Sequence, residues 1–140
     1  MEKVFQKLRR FNLIMGFFHL IQGVMMLFLA SSVIEKLGQF KPTIVQYYLS
    51  FNPVTQSLEP AVKDLFSLPF GVLVASFLII SAIAHGLIYL SGDKYLNDLK
   101  KGINKFRWFE YALSSSIMIV LIATLFGVYD IASLILIFVV

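Results

Sequence analysis

Three side chains stand out because they are titratable and sit inside long apolar stretches: His19, His85 and Glu110. Ionisable groups at such depth are costly and mark functional sites by default. Each has polar company at helical spacing. Arg107, Glu110 and Ser114 follow one another at three and four residues, so a helix puts them on one face. Ser81 and His85 are four apart, and Asn12 and His19 are seven apart. Each segment thus carries one narrow polar stripe. Counted from the nearest charged boundary, His19 lies about 13 Å inward, His85 about 12 Å and Glu110 about 8 Å, all on the same side. That common depth predicts a shared polar cluster built from three helices. An arginine three residues before a glutamate can hold the carboxylate ionised.

Plainer roles compete with this reading. A single histidine in a span can serve as a hydrogen-bonding link between helices, and Ser115 and Ser116 can bond back to their own helix. Arg107 taken alone reads as an interfacial residue that snorkels to the headgroups. Glu110 is different, because a carboxylate inside a span seldom serves packing only. Ala82 and Gly86 form a small-xxx-small pair, the pattern of a close helix contact.

The elements that must position these groups are legible in the composition. Of 140 residues, 59% are hydrophobic and 14% charged, with a mean hydropathy of +0.83. A soluble domain is about 45–50% apolar and about 25% charged, so this is membrane composition. Fourteen Phe and six Tyr against one Trp suit lipid-facing helices, and the absence of cysteine rules out a disulfide framework. Three stretches, 12–32, 69–90 and 108–128, each match the roughly 20 residues needed to cross a hydrocarbon core. A fourth apolar run, 131–140, covers about half a span. The expected architecture is an all-α membrane protein with three full transmembrane helices and the start of a fourth. The short fourth run predicts that the chain is the front part of a longer protein.

Basic residues set the expected orientation. Lys3, Lys7, Arg9 and Arg10 precede the first span, and Lys94, Lys100, Lys101, Lys105 and Arg107 fall in the segment 91–107. In the segment 33–64, Lys36, Lys41 and Lys63 are matched by Glu35, Glu59 and Asp64. Positive charge marks the cytoplasmic side, which puts the N-terminus and 91–107 inside and 33–64 outside. The external loop contains IVQYYLSF between Pro42 and Asn52, a β-prone run that predicts a strand or hairpin. The first span is too long and too polar at His19 and Gln22 for a cleaved signal peptide.

No phosphate-binding glycine loop, metal-ligand spacing or activated nucleophile is present, so an enzyme is not expected. Two histidines and a glutamate are possible metal ligands, but on separate helices their spacing tests nothing. The basic excess serves topology, and lipid, not nucleic acid, is the expected partner.

Three segments resemble a known family. FNLIMGFFHLIQ, FLIISAIAHGLI and the long stretch FRWFEYALSSSIMIVLIATLFGVYDI look like the first three helices and the start of the fourth in heliorhodopsins. The resemblance implies a seven-helix retinal photoreceptor with a cytoplasmic N-terminus, inverted relative to other microbial rhodopsins. It implies that Glu110 is the counterion of the protonated retinal Schiff base. His19 and His85 would form a polar pocket with Asn12, Ser81 and Ser114 nearby. Ser115 and Met118 would line the retinal chain, with Arg107 at the pocket's edge. It further implies an integral plasma-membrane protein that senses light without pumping ions, forms a homodimer and acts on a signalling partner of unknown identity. In one respect the chain departs from the family pattern: the Schiff-base lysine belongs to a seventh helix, and all nine lysines here lie outside the spans. Two alternatives stand beside this: a small membrane protein using its His and Glu side chains for proton relay or ligand binding, and a non-catalytic partner of other membrane proteins.

Overall fold

The computed structural model describes residues 2–31 and 40–139, with the backbone alone for 2 and 3. The start of the expected external loop, with Glu35 and Lys36, lies outside the described residues. The elements run α1 (Glu2–Ala30), β1 (Thr43–Asn52), β2 (Ser57–Ser67), α2 (Phe70–Lys100), α3 (Lys105–Leu125) and α4 (Ile131–Val139). Within α1, α2 and α3, the stretches Val4–Ala30, Phe70–Lys100 and Lys105–Leu125 are long and apolar enough to cross a membrane. The fold is mostly helical, and this is an integral membrane protein.

The helices overrun the apolar stretches that announce them. α1 begins at Glu2, ten residues before the first span predicted from hydropathy, because nothing in its basic first turns breaks a helix. The segment 91–107, expected to be a loop, is mostly helical. α2 continues through it to Lys100, interrupted only at Gly92 (φ 45°, ψ −116°), a conformation that favours glycine. Apolarity marks where lipid ends, and a polar sequence of good helix formers carries the helix on into water.

α3 starts on Asn104, whose side chain accepts a hydrogen bond from the Arg107 amide at 3.3 Å. It ends where Gly127 turns left-handed (φ 87°): the Gly127 amide donates to Thr124 O and the Val128 amide to Ala123 O. Those two bonds make a Schellman cap, which aims the chain back toward α4.

The expected hairpin is present, and it recruits a second strand. Pro60 and the charges in SLEPAVKDLFS disguise that strand in the sequence. The register segregates its surfaces. Tyr47 pairs with Val62, Leu49 with Pro60 and Phe51 with Leu58, while Gln46 pairs with Lys63, Ser50 with Glu59 and Asn52 with Ser57. Over 46–52 one face is therefore apolar and the other mainly polar, the Tyr48–Ala61 pair being its apolar exception. At the base of the hairpin, Ile44, Leu68 and Leu134 are buried together, with Leu73, Val120 and Ile131 against them.

Asp130 ties this core to α4. Its carboxylate accepts from the Ser133 amide and the Ser133 hydroxyl, both at 2.9 Å, and the Val45 amide donates to Tyr129 O at 3.0 Å. The Ser133 bonds hold the Asp130 carboxyl below the usual carboxylate range. A pKa lowered by folding contributes stability that is present above the unfolded value, about 3.9, and lost as the pH falls through the folded one. Protection of the Val45 and Ser133 amides, taken relative to the intrinsic exchange rate at each pH, should therefore fall below about pH 4. Asp130→Asn should flatten that dependence, and an unchanged acid profile in the variant would assign it to another carboxylate.

Candidate functional site

α1 and α2 meet along a seam of small residues. A Cβ placed on Gly16 would lie 3.3 Å from His85 Cβ and 3.5 Å from Ala82 O, and one on Gly23 would lie 2.8 Å from Ile79 Cγ1 and 3.5 Å from Ala75 O. The glycines lie seven apart on α1, as Ala75 and Ala82 do on α2, so two turns of each helix approach closely. Ala82 is in this contact as its pairing with Gly86 suggested, but a Cβ on Gly86 would meet nothing within 4 Å. The close-contact glycines along this seam are Gly16 and Gly23 of α1, joined at its far end by Gly71 of α2, where a Cβ would lie 2.5 Å from Ala30 Cβ.

This approach brings His85 against α1. Its Nδ1 lies 2.8 Å from Asn12 Oδ1, while Asn12 Nδ2 donates to Leu8 O at 2.9 Å. The Leu8 bond orients the amide so that its oxygen faces the imidazole. Hence His85 Nδ1 carries the hydrogen and donates to Asn12 Oδ1. Asn12 and His85 are both buried. The ring of His19 stacks on that of His85, with centroids 5.5 Å apart and planes 14° from parallel. His19 is held from its own helix by Gln22, 3.3 Å away. Gln22 is part of the cluster that spacing alone could have added, since it lies three residues past His19.

One turn along α2 from His85, the Ser81 hydroxyl donates to Glu110 Oε1 at 2.7 Å. Glu110 is only 9% exposed, and Ser114, one turn further along the same face of α3, is also buried. α2 is thus the central strut, with a histidine–asparagine pair on its α1 side and a serine–carboxylate pair on its α3 side.

The remaining candidates lie elsewhere. Arg107 does not turn to Glu110, as their spacing suggested. Its guanidinium stacks over the Tyr111 ring, 4.6 Å from the centroid, and bonds the phenol oxygen. The i, i+4 aromatic offers an interfacial arginine a partner without burying its charge. The Ser115 hydroxyl donates to Tyr111 O, and both Ser115 and Met118 are exposed, on a part of α3 that none of the described helices covers. Six candidates, Asn12, His19, Ser81, His85, Glu110 and Ser114, therefore face the helix contacts, and Arg107, Ser115 and Met118 do not. Among the described residues no three His, Cys, Asp or Glu side chains gather as a metal site.

A carboxylate this buried, hydrogen-bonded by a neutral hydroxyl, calls for a proton or a cation beside it. The model of the family described as Heliorhodopsin matches residues 8–140. The chain belongs to the heliorhodopsin family. No curated protein matches it.

Membership makes this a rhodopsin-like membrane protein and implies retinal as the cofactor of the intact protein. The residues present fit one side of that group. Glu110, buried and bonded only by the neutral Ser81 hydroxyl, would offer a carboxylate to a protonated Schiff base. The lysine that would bond retinal is not among the residues of these spans.

Proposed function

We propose that this heliorhodopsin chain supplies the counterion side of a light-sensing retinal protein that does not pump ions, with its N-terminus in the cytoplasm. The observation that carries the reading is Glu110, the one acid within the three predicted spans, buried and bonded by Ser81 from the neighbouring helix. Retinal, when bound, supplies light absorption and an isomerising double bond. The chain's own residues hold a carboxylate near it and a stacked histidine pair one turn away, groups able to take up or return a proton.

The distribution of titratable groups supports sensing over pumping. His19, His85 and Glu110 occupy one half of the spans. The other half of each, 20–30 in α1, 70–84 in α2 and 115–125 in α3, has no titratable side chain. A proton pump needs relays on both sides of its chromophore. The retinal-bound protein in cell suspension should show a light-induced absorbance change without a pH change sensitive to protonophore, and a sustained proton signal would refute the sensor reading. Orientation has its own check: a reporter inserted in 101–104 should be cytoplasmic and one in the 53–56 turn external. Reversed labelling would overturn the topology.

A further inference from the structure

The kink at Gly92 does more than bend α2. Gly92 itself lines a cleft of about 240 Å³ between α1 and α2, with Phe5, Leu8, Arg9, Ile88, Asp93 and Leu96 around it. Its interior is apolar, while its rim is charged. Arg9 lies over the Tyr89 ring at 4.7 Å and donates from Nε to Tyr89 O at 3.2 Å, so its terminal N–H groups stay available. Lys100, outside the lining itself, places its Nζ 5.7 Å from the ring of Phe5, one of the lining residues. Among the described side chains, eight of the ten Lys and Arg fall in residues 7–10 and 94–107 at this end of the helices, against Asp93 and Asp98. At the hairpin end, Lys41 and Lys63 face Glu59, Asp64 and Asp130, so the charge excess is one-sided.

Topology alone asks for basic residues at this boundary, but it does not ask for an amphipathic cleft between two helices. We propose that the cleft binds one anionic phospholipid. Its acyl chain lies against Leu8, Ile88 and Leu96, and its phosphate sits at Arg9 and Lys100. A guanidinium on the lining of a greasy slot, with an ammonium beside one of its aromatic walls, complements a phosphodiester above a hydrocarbon tail. The Asp93 carboxylate on the same rim accepts a hydrogen bond, which selects a headgroup carrying a donor, such as the hydroxyls of phosphatidylglycerol. Assignment to the cytoplasmic leaflet rests on the proposed topology. The lipid preference does not, and it is measurable without retinal.

The test is native mass spectrometry of the full chain in detergent, titrated with phosphatidylglycerol or with phosphatidylcholine of the same chains. One phosphatidylglycerol adduct should persist at collision energies that strip phosphatidylcholine. Each lost charge should weaken it about fivefold, in Lys100→Gln and in Arg9→Gln, while Lys63→Gln at the far end leaves it unchanged. Lys100 is exposed, so its variant keeps the test valid if the loss of Arg9 disturbs folding. Equal retention of both lipids, an equal loss in Lys63→Gln, or displacement by inorganic phosphate at millimolar concentration would each overturn the proposal. The last would show an anion site with no use for the acyl chain.

Discussion

With retinal bound, Glu110→Gln should lower the Schiff-base pKa by roughly three units, because an ion pair about 4 Å apart at an effective dielectric near 20 contributes about 4 kcal/mol. The wild-type carboxylate favours the protonated, cationic form, and glutamine keeps the shape while removing the charge. The assay uses the intact, lysine-bearing protein. In the fraction that remains protonated, the visible band should move to the red, since the carboxylate stabilises the charge-localised ground state more than the excited state. Ser81→Ala should act in the same assay more weakly. It removes one hydrogen bond to the carboxylate, typically about 1.5–3 kcal/mol for a charged partner, and water can replace it. Replacing His19 or His85 should shift the band less than Glu110→Gln, because neither provides a permanent negative charge. Titrating the visible absorption of these variants against the wild type decides the matter. An unchanged pKa and maximum in Glu110→Gln would remove it as counterion and return the buried carboxylate to a structural role.

The second large effect concerns packing. Gly23→Leu should destabilise the α1–α2 pair by about 1–3 kcal/mol or more, the usual result of forcing volume into a filled contact. Even the first added carbon would lie 2.8 Å from Ile79 Cγ1, so one helix must move. Gly16→Leu should do similar harm and also disturb the site, because its first neighbour is His85 Cβ at 3.3 Å. Shifting His85 breaks its bond to Asn12 and its stack with His19. Gly86→Ala is the informative contrast. It meets open space, so the helix-propensity gain of up to about 1 kcal/mol should appear as a small stabilisation. Thermal unfolding of the three variants in detergent is the measurement. A Gly86→Ala as harmful as Gly23→Leu would place the seam on the wrong helix face.

The sequence by itself determined the membrane architecture and the chemistry available to it. Three apolar stretches of spanning length can only be helices where water is absent, because each must satisfy its backbone internally. The lopsided Lys and Arg distribution, the β-prone IVQYYLSF and the unusual cost of Glu110 in a span were equally plain, since each depends on residue type and local spacing. What only the tertiary structure decided was which polar groups meet. Asn12 and His85 are 73 residues apart, and Ser81 and Glu110 are 29 apart. Their bonds depend on how each helix is rotated about its own axis. In a soluble protein the apolar stripe reveals that rotation, but here lipid-facing and protein-facing surfaces are both apolar, so the pattern carries little information about it. The same ambiguity hid the Gly16–Gly23 seam behind the more visible Ala82–Gly86 pair. It also left Arg107 with two partners at helical spacing, Glu110 at three residues and Tyr111 at four. Local spacing allowed both, and the side chain's position near the membrane boundary, where an aromatic ring accepts a charge that stays partly in water, settled it on Tyr111.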